Sequence, residues 1–224
     1  MWNRKTVFFL CALMLLYFVP TFMQVAVAES NPALDQILAG MEQKYANSSF
    51  SAKFLQESTI KAMELTDSAS GKVYVRHPGQ MRWEYEQPDK QIIITDGYKL
   101  WIYRPEDNQV MTGAAPEFFR DGKGASFLSD IKLLREKFDI VLLESEKSLF
   151  HELKLTPREK TMDVASIRLS VSMSTFTVMR IATYNSYGDE TRIELLNSEF
   201  GKTLDEDLFS FNIPPGVDVL KLDE

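Results

Sequence analysis

GKVYVRHPGQMRWEYEQPDKQIIITDGYKLWIY, residues Gly71 to Tyr103, reads as four short strands in succession. Turn residues cut it at His77-Pro78-Gly79, Gln87-Pro88-Asp89 and Asp96-Gly97. The pieces between are rich in Val, Ile, Tyr and Trp, side chains that suit a pleated surface. This spacing predicts an antiparallel meander. In Met81-Arg82-Trp83-Glu84-Tyr85 the side chains alternate, so Met81, Trp83 and Tyr85 share one face while Arg82 and Glu84 share the other. One face is apolar and the other is wet.

Upstream, Pro32 to Tyr45 reads as an amphipathic helix, with Asn31 as cap, Pro32 at the first helical position and Leu34, Ile37, Leu38, Met41 and Tyr45 at helical spacing. The period changes to two at Phe50, predicting a strand to about Ile60. Downstream, Gly113 to Ser126 holds Gly113, Gly122, Gly124 and Pro116 and an exposed-looking Phe118-Phe119 pair, so it reads as a mobile loop. Phe127, Leu128, Ile131, Leu134 and Phe138 then fall near one helical stripe. Strands follow over Phe138–Leu143, Leu149–Leu155, Ser166–Met173, Thr177–Tyr184, Thr191–Leu196 and Phe209–Ile213. Ile167, Leu169, Val171 and Met173 alternate with Arg168, Ser170 and Ser172. The fold class is mainly β: a curved antiparallel sheet of about eleven strands, too large to stay flat, curling into an incomplete barrel with helices against its concave side.

The ends and composition bound the rest. Arg4 and Lys5 precede an apolar run from Val7 to Val19, and the segment closes on Ala26-Val27-Ala28, so residues 1–28 are expected to be a cleaved secretory signal. Pro20, Thr21 and Gln24 interrupt the run short of the ~18 apolar residues of a membrane span. The one cysteine, Cys11, lies inside it, so residues 29–224 hold none and form no disulfide. A lipid anchor would need a cysteine where Glu29 stands. Residues 29–224 suit one domain. A net charge of −7 argues against nucleic acid and anionic lipid surfaces as partners.

Enzyme chemistry has little to stand on. There are two histidines and no nucleophile elbow, phosphate loop or zinc helix. His77 sits in a turn and His151 on the apolar side of a strand, where a packed histidine is the ordinary reading. Asp205-Glu206-Asp207 lacks the spacing of a calcium loop and reads as a solvated turn. No metal or cofactor is expected. The apolar sheet face, with seven methionines in residues 29–224 able to adapt to irregular shapes, is left open between filled core and ligand cavity.

The same meander resembles the periplasmic outer-membrane lipoprotein carrier family, LolA. The resemblance rests on Pro78, the strand ending near Trp83, Gln87-Pro88-Asp89, Ile92 to Ile94, Asp96-Gly97 and Leu100-Trp101-Ile102-Tyr103. It extends to Ser49 through Gln56 and to Phe209-Ser210-Phe211-Asn212-Ile213-Pro214-Pro215-Gly216-Val217. It implies an incomplete barrel lidded by helices over an apolar cavity that shelters the acyl chains of lipoproteins crossing the periplasm. Met81, Trp83, Tyr85, Leu100, Ile102, Leu169, Val171 and Met173 are then the expected cavity lining, and Phe127, Leu128 and Ile131 the underside of the lid.

The family places Arg directly before the turn proline as a latch on the lid. In this chain that place holds His77, so the latch is left among Arg76, His77 and Arg82. The implied partners are acylated lipoproteins, an inner-membrane lipoprotein-releasing ABC transporter complex that loads a monomeric carrier, and an outer-membrane lipoprotein receptor or acceptor membrane. A periplasmic carrier or sensor of another lipid or hydrophobic ligand is the alternative.

Overall fold

In the computed structural model, residues 31–46, 48–143 and 148–222 are described, without the side chains of 117, 118, 120, 121, 123 and 124. The targeting segment expected over residues 1–28, Cys11 included, lies outside them, as does the side chain of Phe118. Helix α1 (Pro32–Tyr45) starts where Asn31 accepts hydrogen bonds from the N–H groups of Ala33 and Leu34 at 3.1 and 3.2 Å. Its stripe of Ile37, Leu38, Met41 and Tyr45 is buried against the sheet. Gly40 lets the helix come close, since a Cβ there would lie 2.6 Å from the Phe176 ring.

Twelve strands form one sheet. They are β1 (Ser49–Ile60), β2 (Leu65–Arg76), β3 (Gln80–Gln87), β4 (Gln91–Thr95), β5 (Lys99–Arg104), β6 (Gln109–Ala114), β7 (Phe138–Leu143), β8 (Phe150–Pro157), β9 (Ser166–Ser172), β10 (Val178–Tyr184), β11 (Glu190–Phe200) and β12 (Asp218–Lys221). The order is β12-β6-β5-β4-β3-β2-β1-β11-β10-β9-β8-β7. All neighbours are antiparallel except β12, which runs parallel to β6. The ends β12 and β7 do not pair, so the barrel stays open.

Two strands differ from the sequence reading. Gln109–Ala114 joins the meander as β6, although Gln109 and Gly113 give little strand signal. The strand expected over Phe209–Ile213 is absent: Glu206–Phe209 is a 3₁₀ turn, and Pro214-Pro215 offer no N–H to a ladder. The chain pairs only later, as β12. Its Phe211 and Val217 instead cover Ile94, Trp101 and Val110 on the convex face, with Phe211 5.3 Å from Tyr103.

The loop and helix expected between Gly113 and Phe138 also take another form. Helix α2 (Ala115–Phe118), a 3₁₀ segment (Arg120–Leu128) and helix α3 (Leu133–Lys137) run in succession, and Phe138 opens β7. Gly122 at φ +81° and Ala125 at φ +57° interrupt any continuous helix. The hydroxyls of Ser126 and Ser129 donate to the carbonyls of Phe119 and Ser126. This cover and α1 lie on one side of the sheet, where Phe50, Phe54, Val73, Trp83, Leu153, Leu169 and Ile181 meet Phe127, Leu128 and Ile131 in one core.

Candidate functional site

Register builds the concave wall. Val73 faces Trp83, Trp83 faces Ile93 and Ile93 faces Ile102 across β2 to β5. Gln56 faces Ile193, and Ile193 faces Ile181, on the other flank. Gly71 makes the approach of these flanks possible, because a Cβ there would meet the Phe54 ring at 2.9 Å and the Glu84 carbonyl closer still. Phe54 thereby lies edge-on to both Trp83 and Tyr85, at 5.0 and 4.9 Å.

The 115–137 cover does not fill this concavity. A hollow of about 310 Å³ remains, walled by Trp83, Tyr85, Ile93, Phe119, Ile181 and Ile193, with Gln56, Thr183, Thr191 and Asp163 adding polar groups. A second hollow of about 510 Å³ lies between the cover and the turns at Pro78-Gly79 and Asp96-Gly97, with Phe119, Phe127, Leu133 and Phe138 as its apolar lining. Tyr85 donates to Gln56 Oε1 at 3.0 Å, and burial pushes its phenol up to about 12. Trp83 Nε1 and Asp130 Oδ1 are buried without a hydrogen-bond partner. Each such orphan costs about 1–3 kcal/mol.

Of the residues expected to line the cavity, Trp83 and Tyr85 border the first hollow. Met81, Leu169 and Val171 are buried in the main core beside it. Leu100 and Ile102 pack with Ala115 in a separate small cluster under α2. Met173 is not part of the wall: β9 ends at Ser172, the alternation stops there, and Met173 lies in the following turn, 48% exposed. Phe127 borders the second hollow, while Leu128 and Ile131 are core. Sequence reasoning missed Ile93, because all three residues of Ile92-Ile93-Ile94 are apolar and carry no parity. It also missed Phe119, placed on an exposed loop; the ring is half-buried and borders both hollows.

The three latch candidates separate by face. Arg76 donates to Gln80 at 2.6 Å and lies 4.8 Å from the Phe209 ring centroid, on the convex side. Arg82 binds Glu84 and donates to the Leu208 carbonyl at 3.2 Å, also there. Only His77 reaches the cover: its Nδ1 lies 2.9 Å from the Ser129 carbonyl, which also accepts from Gly79 N at 3.1 Å. Parity carries the signal, since Val73 and Val75 are core and His77 follows two residues on. A further tie escaped the sequence reading. Arg135 of α3 binds Asp35 at 2.9 Å and Glu42 at 2.5 Å on α1, and these bonds, Asp35 first, hold its guanidinium pKa up.

His151 stacks at 6.3 Å on Phe176, in keeping with a packed histidine. Asp205 caps the 3₁₀ turn by accepting from Asp207 N. Among the described residues no group of acidic, histidine or cysteine side chains is placed to hold a metal.

A half-barrel wall with a segmented cover and apolar hollows between them is the class of protein that this geometry defines. The comparisons give the family. Residues 46–212 match the model of the outer membrane lipoprotein carrier protein LolA, and the chain belongs to this family. An outer-membrane lipoprotein carrier protein of Legionella pneumophila is 30% identical over 203 residues, covering 89% of this chain and 98% of that protein. One of Pseudomonas paraeruginosa is 26% identical over 197 residues, 88% of this chain and 91% of that protein. In fold, an uncharacterized conserved protein from Thermus thermophilus superposes with a TM-score of 0.55 at 12% identity, covering 85% of this chain and 99% of that one.

Proposed function

We propose that this protein is a periplasmic carrier that receives acylated lipoproteins at the inner membrane and shelters their acyl chains on the way to the outer membrane. The observation that carries this reading is the apolar hollow of about 310 Å³ beneath the cover, bordered by Trp83, Ile93, Phe119, Ile181 and Ile193, in a chain of the LolA family. Moving acyl chains through water costs about 0.8 kcal/mol per methylene, which an apolar hollow offsets. The work is binding and release, with no covalent step and no cofactor. An ABC transporter complex would load the monomer, and a receptor or the acceptor membrane would unload it. Residues 1–28 are removed on export.

His77 is the proposed latch, supported by its contact to the Ser129 carbonyl. Its bond belongs to the closed state, so losing it shifts the equilibrium toward the loaded one. His77→Leu should therefore hold cargo longer, with Arg76→Leu and Arg82→Leu handing over as wild type.

Incubating the purified protein with inner-membrane vesicles that carry the releasing complex and radiolabelled lipoproteins tests the reading. Labelled lipoprotein should appear in the soluble fraction, bound to the carrier. Free lipid in its place, co-purifying from cells with no lipoprotein released, would move the assignment to a carrier of another lipid. Mass measurement of the periplasmic protein, expected to begin at Glu29, checks the cleavage.

A further inference from the structure

Phe119 is the residue that the two hollows share. It closes α2 and starts the 3₁₀ segment, with its backbone tied on both sides: its N–H donates to the Ala115 carbonyl at 3.0 Å and its carbonyl accepts from Ser126 Oγ at 3.0 Å. The ring packs against the main core and also against the Leu100, Ile102 and Ala115 cluster. It lines both the hollow of about 310 Å³ and the hollow of about 510 Å³. Taken singly, the first is near the lower limit of the ~300–1,000 Å³ typical of ligand pockets. Both linings are mainly apolar, with Gln56 and Asp163 among the polar groups of the first and Asp96 and Lys137 among those of the second.

Resting on the carrier reading above, we infer that the Phe119 ring is a partition that sets which acyl chains the carrier accepts. With the ring in place, chains lie in two short compartments, one on each side. A longer chain passes from one to the other only where the ring has turned aside. Because the Phe119 backbone is held by the Ala115 and Ser126 bonds, this adjustment falls to the side chain. Phe119 is a specificity-determining residue, and the ligand class is a multiply acylated peptide whose chain length is read at this point.

The test uses synthetic triacylated lipopeptides that differ only in chain length, from twelve to eighteen carbons, displacing a fluorescent apolar dye from the mature protein. Wild type should favour one length. Phe119→Ala should shift the optimum to longer chains, with at least a fivefold gain for the longest relative to the shortest, and Phe119→Trp should shift it the other way. Thermal melts and dye uptake identify any variant that has not folded, in which case Phe119→Leu takes the place of the alanine variant. Folded variants that bind with the wild-type length profile overturn the partition and leave the carrier reading standing. A folded wild type that binds none of the lipopeptides overturns both.

Discussion

The two covers on the concave face differ in how they meet the sheet. Helix α1 fills what it covers: Met41 is fully buried, Tyr45 is wedged between Phe50 and Phe200 at 5.5 and 5.3 Å, and its hydroxyl accepts from Val178 N at 2.9 Å. The 115–137 cover stands over two hollows, broken into short pieces by residues at positive φ. It is held at points, by His77, by Gly79 and by Arg135. A continuous helix with a full apolar stripe is a structural wall; a segmented one over unfilled space is the part that can move.

Four substitutions sharpen or break this contrast. Met41→Ala should have the largest effect, about 2–5 kcal/mol less stable by urea unfolding, because it opens a cavity in filled core. A cost below about 1 kcal/mol would mean that α1 is as loosely seated as the other cover.

Tyr85→Phe comes next, read against pH. The folded phenol ionises near 12 and the unfolded one near 10. The folded state keeps its proton between these values while the unfolded state loses it. Stability is therefore intact below about pH 10 and falls as pH rises towards 12, by roughly 2–3 kcal/mol at most for this group. The variant should lose that part of the alkaline fall, which urea titrations at stepped pH measure. Tyr45, raised by burial in the same direction, continues to contribute in both proteins.

Gly122→Ala should cost about 1–3 kcal/mol. Gly122 sits at φ +81°, and an added Cβ would lie 2.9 Å from Ile167 and Phe138. Hydrogen exchange should rise over residues 119–128 while α1 stays protected. Equal loosening of both would erase the distinction between them. The smallest effect belongs to Arg135→Ala, below about 1 kcal/mol, since its bonds to Asp35 and Glu42 are partly exposed. High salt should shrink the difference from wild type further.

Strand identity was legible wherever the alternation was clean. Met81, Trp83 and Tyr85 turn their backs on Arg82 and Glu84 as period two demands, and the Asn31-Pro32 start of α1 was visible from capping chemistry alone. Faces became illegible in uniformly apolar runs such as Ile92 to Ile94. They also failed at strand ends, where Met173 continues the pattern in sequence but leaves the sheet in space. The site was less legible than the fold. Composition reports which residues are apolar, but whether a face is filled depends on how closely a cover descends on it. Phe119 shows this: among glycines and charges it looks like loop, and its ring borders both hollows because backbone bonds at Ala115 and Ser126 turn it inward.

The orphaned Trp83 indole supplies the protein with its own optical probe. Trp83 sits on the wall of the hollow and Trp101 on the opposite, convex face, packed with Ile94 and Val110. Emission from the first should change intensity and colour when a ligand fills the hollow beside it, while the second stays constant as an internal standard. Filling and emptying can thus be followed in real time in the unlabelled molecule, with Trp83→Phe as the silent control.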